Sequence, residues 1–176
     1  MPQLVEILKE ALQIEKEGEE FYRGAAETCT NPVAKHTFLA LADQEHRHAQ
    51  YFQAFYDAMV QEGQWPAPGV VDWEAVPVPD AARSIFDQAR CKAASCDVVM
   101  CAELTQLYAS AMEQERQTIT LYRTQAEGAT DDDEQAFFEF LVAQERGHLE
   151  LLANTQKYLD APAQWFFDEE QWIVEG

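Results

Sequence analysis

The 176-residue chain carries 12 Lys and Arg against 32 Asp and Glu, a formal net charge of −20. That charge repels phosphate over the whole surface, which excludes nucleic acid and anionic membranes as partners but leaves metal cations open. With 47% hydrophobic and 11% aromatic residues the chain can fill a core, which excludes wholesale disorder, and its length fits a single domain over residues 1–176.

Residues 1–61 read as a helical hairpin. The first residues, Met-Pro-Gln-Leu-Val-Glu, meet a charge too early for a secretory signal. The turn falls at Cys29-Thr30-Asn31-Pro32, where Asn31 suits the N-cap and Pro32 the first helical position. Residues 62–95 form a connector. Gly63, Pro66, Pro68, Gly69, Pro77 and Pro79 forbid a long helix in its first half, while Asp80–Lys92 could form a short one. The connector is long enough to run the length of a bundle as a crossover, or to let hairpins exchange between chains. Residues 96–160 read as a second hairpin, turning at Gly128-Ala129-Thr130-Asp131. Gly128 suits a left-handed helix end, and Thr130 or Asp131 suits the next cap. The tail, 161–176, carries Trp165, Phe166, Phe167, Trp172 and Ile173 and reads as a short amphipathic helix covering a bundle end or a partner subunit. The longest apolar run, Val98–Ala102, is far too short to span a bilayer. Cys29, Cys91, Cys96 and Cys101 form no Cys-x-x-Cys pair, which argues against a zinc ribbon or rubredoxin-type centre and for a reduced, cytoplasmic setting. The five-residue spacing of Cys91, Cys96 and Cys101 does not hold their thiols on one helix face.

The two hairpins are copies. Shifted by 100 residues, the sequence matches itself without a gap, with Glu15, Tyr22, Phe38, Leu41, Glu45 and His48 repeated as Glu115, Tyr122, Phe138, Leu141, Glu145 and His148. Bundle helices bury positions spaced alternately three and four apart. On that spacing the second helix buries Phe38, Leu41, Phe52, Phe55 and Met59, and the fourth buries Phe138, Leu141, Leu152, Thr155 and Leu159. The first offers Leu8, Ala11, Gly18, Tyr22 and Ala25, and the third Tyr108, Ala111, Thr118, Tyr122 and Gln125. Six ionisable residues interrupt these stripes: Glu15, Glu45, His48, Glu115, Glu145 and His148. Each Glu is fifteen residues from its own turn, so at 1.5 Å per residue all four should sit about 22 Å along their helices, at one level.

A lone Glu-x-x-His is common on helix surfaces and means little. Four carboxylates facing one another in a core are another matter, because an unpaired buried charge costs several kcal/mol or shifts its pKa. No Lys or Arg falls on these stripes. Two divalent cations would cancel four carboxylates, and two neutral imidazoles could complete the coordination, so the pattern points to a dinuclear metal site. Glu17, Glu20, Glu113, His36 and His46 fall off the stripes and are expected on the surface.

One Glu from each of two helices plus Glu-x-x-His from each of the other two is the ligand set of ferritin-like di-iron carboxylate proteins. The segments Ile14-Glu15-Lys16-Glu17-Gly18-Glu19-Glu20-Phe21-Tyr22 and Asp43-Gln44-Glu45-His46-Arg47-His48-Ala49 resemble the rubrerythrin branch of that superfamily. The resemblance implies an all-α, ferritin-like four-helix bundle with a long crossover. It implies two iron ions, with manganese as the alternative metal, Glu45 and Glu145 as bridging ligands, Glu15 and Glu115 as terminal ones, and His48 and His148 as one imidazole per metal. Tyr22 and Tyr122 would hydrogen-bond carboxylates of the opposite hairpin. The chemistry implied is iron-dependent oxygen or peroxide reduction, of ferroxidase or peroxidase type, with a separate electron-donor protein and a homodimer or larger oligomer. The alternatives are iron storage without turnover and hydroxylation of an organic substrate. Two departures count against classical rubrerythrin peroxidase action: there is no rubredoxin-like centre, and Thr118 stands where rubrerythrins carry an extra Glu one turn after the third-helix ligand.

Overall fold

The computed structural model describes residues 2–63, 65–66, 73 and 102–161. Within them lie four helices and no strand: α1 (Pro2–Thr28), α2 (Pro32–Glu62), α3 (Ala102–Gly128) and α4 (Asp132–Asp160). The expected short helix over 80–92, the tail helix over 161–176 and the thiols of Cys91, Cys96 and Cys101 lie outside the described residues.

The turns form as their residues dictate. Asn31 takes an extended conformation and its side chain accepts from the amides of Val33 and Ala34 at 3.0 and 3.1 Å, with Pro32 opening the helix. Asp131, rather than Thr130, does the same for α4, accepting from Asp133 and Glu134 at 3.0 and 3.1 Å. Such caps are worth about 1 kcal/mol each. Gly128 departs from expectation. It stays helical, and the helix closes with a tighter bond from the Ala129 amide to the Ala126 carbonyl at 3.3 Å. Among the described residues only Gly63, which ends α2 at φ 70°, is left-handed, and its amide donates to the Met59 carbonyl. A non-glycine residue there would meet the Cβ clash that glycine avoids.

Contacts between helices fix the topology. Across the bundle, Phe38 of α2 meets Tyr108 of α3 at a ring separation of 5.1 Å. Fourteen residues later in both helices, Phe52 meets Tyr122 at 5.5 Å. Therefore α2 and α3 run parallel, so the end of α2 and the start of α3 lie at opposite ends of the bundle, about 40 Å apart for 27 residues. Helices α2 and α4 run antiparallel, with Thr37 beside Thr155 at one end, His48 beside His148 at the middle and Phe55 beside Phe137 at the other end. The two turns thus lie at opposite ends, and the four glutamates share a level because fifteen residues is close to half a helix.

The interior divides into two apolar clusters with a polar belt between them. One gathers Tyr22, Phe38, Tyr108, Leu152 and Leu159, the other Leu8, Phe52, Phe55, Tyr122, Phe137 and Phe138. Each large side chain fully removed from water contributes about 1.5–3 kcal/mol. Trp65 stacks on Phe55 at 4.6 Å, and Trp73 lies edge-on to Phe137 at 5.9 Å and 5.0 Å from Phe140. Trp65 and Trp73 therefore cover the end of the bundle where α2 finishes and α4 begins.

Candidate metal centre

The polar belt consists of the six residues singled out by the repeat. None of Glu15, Glu45, His48, Glu115, Glu145 and His148 is more than 5% exposed. They form two overlapping groups, Glu15–Glu45–His48–Glu145 and Glu45–Glu115–Glu145–His148, in each of which the ligand atoms lie within 4.8 Å of one another. Each histidine reaches the carboxylate at i−3 because that spacing places both on one helix face. His46 and His36 are exposed, as are Glu17, Glu20 and Glu113, all as expected.

The contacts repeat the twofold symmetry of the sequence. His48 Nδ1 lies 3.3 Å from Glu45 Oε2 and 3.1 Å from Glu145 Oε1. His148 Nδ1 lies 3.2 Å from Glu45 Oε1 and 3.0 Å from Glu145 Oε2. Glu45 and Glu145 thus present one oxygen to each imidazole. Glu15 approaches only His48, at 3.4 Å, and Glu115 only His148, at 3.7 Å. The two rings stack with centroids 5.3 Å apart. Tyr22 of α1 donates its hydroxyl to Glu115 Oε1, and Tyr122 of α3 donates to Glu15 Oε1. The tyrosines therefore hold the carboxylates of the opposite hairpin.

Electrostatics sort the four carboxyls into two pairs. Burial, reinforced by repulsion from Glu45 and Glu145, holds the Glu15 and Glu115 carboxyls well above their ordinary pKa. Burial pushes Glu45 and Glu145 up too, but the neighbouring imidazolium charges win. Glu45 sits well below the usual carboxylate range and Glu145 falls to about 2. Burial pulls both histidines down, and the surrounding carboxylates outweigh it, leaving both well above 6.5. Burial and the adjacent carboxylates drive the phenols of Tyr22 and Tyr122 far up, so both remain hydrogen-bond donors.

The donor set fits a pair of metal ions. Both Nδ1 atoms sit within reach of three carboxylate oxygens each, yet His48 Nδ1, both ring nitrogens of His148 and Glu145 Oε1 make no hydrogen bond among the described residues. Imidazole nitrogens and carboxylate oxygens that converge in the interior without hydrogen-bond geometry are a donor set that a shared cation could take once the protons have left. Among the described residues, no Lys or Arg pairs with the four carboxylates.

The rubrerythrin family model matches residues 6–82 and 87–156. The chain belongs to the rubrerythrin family. No significant match to a curated protein or a solved structure was found. Family membership agrees with the bundle and with the buried carboxylate–histidine cluster, which is compatible with di-iron binding. This rubrerythrin-family chain has no Cys-x-x-Cys pair. Among the described residues, no helix is long and apolar enough to cross a membrane.

Two residues beside the centre are less buried than the helix spacing implies. Thr118 and Gly18 were expected on the buried stripes, but both are only half buried and line a cavity that opens onto the carboxylates between α1 and α3. The signal was present in the residue sizes: the two positions one turn after the α1 and α3 glutamates hold Gly and Thr, too small to close the space.

Proposed function

We propose that the protein binds two iron ions in the bundle core and carries out iron-dependent reduction of oxygen or peroxide. One observation supports this above the rest: Glu45 and Glu145 each offer one oxygen to each imidazole, while Glu15 and Glu115 each serve one side. On that reading Glu45 and Glu145 bridge the two ions. Glu15 with His48 completes one site and Glu115 with His148 the other. Mixed imidazole and carboxylate donors with open positions suit iron, and manganese is the alternative.

Bound iron(II) supplies the electrons, one from each ion. The chain supplies the rest. Four carboxylates balance the charge of two divalent ions, keeping the core near neutral. Tyr22 and Tyr122 hold Glu115 and Glu15 in orientation, as outer hydrogen bonds commonly do for metal ligands. The apolar clusters close the polar belt off toward both ends of the bundle. These residues contain no Cys-x-x-Cys centre, so electrons for repeated turnover would come from a donor outside the 176 residues.

Anaerobic titration with iron(II) tests the reading. About two ions per chain should bind, and oxygen or peroxide should then raise near-ultraviolet absorption from the oxidised pair. A chain that stays empty under these conditions overturns it.

A further inference from the structure

A cavity of about 250 Å³ opens between α1 and α3, and its floor is formed by Glu15, Glu45, Glu115 and Glu145. The two histidines do not line it; they stand on the α2 and α4 side of the cluster. Gly18 and Thr118 occupy equivalent places on the two walls, one turn from Glu15 and Glu115. A Cβ on residue 18 would stand 3.4 Å from Glu45 Cγ, so any larger side chain there would spread over the floor.

Size, polarity and charge each narrow what this space accepts. An apolar cavity of about 150 Å³ binds benzene. This one could therefore hold a benzene-sized body and still leave space over the carboxylates. Hydrogen peroxide or oxygen alone would leave most of it unfilled. The walls are mixed, with an apolar part: Ile14, Leu121 and Gly18 carry no polar side-chain atom and the Thr118 hydroxyl turns back to the Gln114 carbonyl at 3.2 Å, while Gln114 and Gln117 add polar groups on the α3 side. Exposed Glu17 beside the opening and a net charge of −20 disfavour anions.

We propose that this cavity binds an uncharged organic hydroperoxide with an apolar body of about benzene size, and that Gly18 and Thr118 set the size limit. The proposal rests on the di-iron reading above. A single molecule bearing both the O–O bond and the apolar body needs one cavity, whereas an organic substrate bound together with oxygen would need room for both. In the reaction the O–O bond breaks. Two electrons, one from each iron(II), and two protons convert ROOH into ROH and water.

Two measurements test it. In the first, 2-phenyl-2-propanol, the redox-inert alcohol formed from cumene hydroperoxide, is titrated into the metal-free and the zinc-loaded protein and followed by saturation-transfer NMR. It should bind. Benzoate, of similar size but anionic, should not. Thr118→Phe should weaken the alcohol by about tenfold or more, since a pocket distinguishes single-group differences by that factor. Thr118→Leu, a smaller change at a half-exposed position, serves if the Phe variant does not fold. In the second, stopped-flow absorbance compares cumene hydroperoxide with hydrogen peroxide on the iron(II)-loaded protein. The ratio of the two rate constants should fall about tenfold in the Thr118 variants. Wild-type protein that loads iron and reacts with hydrogen peroxide, yet neither binds the alcohol nor reacts with cumene hydroperoxide, overturns this proposal and leaves the di-iron reading standing. Failure to load iron overturns the di-iron reading instead, and the alcohol titration still decides the cavity.

Discussion

Loading the cluster with two divalent ions should release about four protons. In the metal-free protein burial, and then the charges of Glu45 and Glu145, hold the protons of Glu15 and Glu115 well above the ordinary carboxyl range. Glu45 and Glu145 are ionised, Glu145 down to about pH 2. His48 and His148 keep their protons above the ordinary imidazole range, since their carboxylate neighbours outweigh burial. While those four protons are held, two carboxylates and two imidazoliums leave the empty cluster without net charge. Metal ligation requires every carboxyl and both imidazoles to be deprotonated. Two protons leave from Glu15 and Glu115 and two from the histidines, about two per ion, and four positive charges replace four. Linkage then fixes the pH dependence: each unit of acidification should weaken each ion by about a hundredfold while those four groups hold their protons. The same shifts act on folding. The raised pKa values of Glu15, Glu115, His48 and His148 favour the metal-free fold fully below their unfolded values, about 4.3 for Glu and 6.5 for His. That contribution fades as pH rises through the folded values. The lowered values of Glu45 and Glu145 act oppositely and are lost as pH falls, for Glu145 toward about 2. The metal-free protein should therefore melt at a lower temperature as pH rises through the raised folded values of those four groups. The assay is addition of anaerobic iron(II) to weakly buffered protein at about pH 6.5 with an indicator dye. Fewer than about one proton per ion would mean that the cluster is already deprotonated, and this account of its charge would be wrong.

Four further outcomes are expected. His48→Ala and His148→Ala should each remove one ion and leave the other, whereas Glu45→Ala or Glu145→Ala should disturb both, as read by metal analysis after anaerobic loading. Tyr22→Phe frees Glu115 and Tyr122→Phe frees Glu15; each should retain two ions, with one bound about 10–100-fold more weakly by competition with a chelator. Phe137→Ala, at the junction of Phe52, Phe55, Trp65 and Trp73, should cost about 3–5 kcal/mol in urea unfolding. Thr37→Phe should cost about 1–3 kcal/mol by overpacking against Thr155, and an unchanged urea midpoint would refute the packing described for that end.

The site was more legible in the sequence than the core around it. Six buried polar residues interrupting apolar stripes at a fixed 100-residue offset have few physical explanations, and all six converge. The stripes of α2 and α4 also held, from Phe38 to Met59 and from Phe138 to Leu159. On α3 the strict three–four spacing drifted. Ile119 and Ala126 are buried where Thr118 and Gln125 were expected, because a straight helix turns about 20° per heptad away from a 3.5-residue repeat. The aromatic seal was not legible. Trp65 and Trp73 lie in a Pro- and Gly-rich stretch without periodicity, and their partner Phe137 sits one residue off the stripe that begins at Phe138. Gly128 misled for a related reason: a glycine near a helix end permits a left-handed cap but does not compel one.

The duplication raises a problem of pairing that the ends of the bundle resolve. If the two hairpins were identical, either could pair with a second copy of itself as well as with its neighbour in the chain. At the cluster the two Glu, the His and the Tyr of each hairpin match, as the proposed pair of ions would need. Away from it the repeat breaks in a correlated way. Thr37 corresponds to Phe137 and Phe55 to Thr155, while Leu8 corresponds to Tyr108. In the folded chain Thr37 meets Thr155 at 3.3 Å and Phe55 meets Phe137 at 4.2 Å, so hydroxyl faces hydroxyl and ring faces ring. Two copies of the first hairpin would instead set Thr37 against Phe55 at both ends, and two copies of the second would set Phe137 against Thr155. Each mismatch trades a fitted contact for one of the wrong volume, and dense interiors penalise volume errors of a single methylene. Discrimination between partners is a difference of free energies, and it can be built as well from the misfit of the wrong pair as from the fit of the right one. The symmetric middle serves the chemistry, and the asymmetric ends direct each hairpin to the other half of its own repeat.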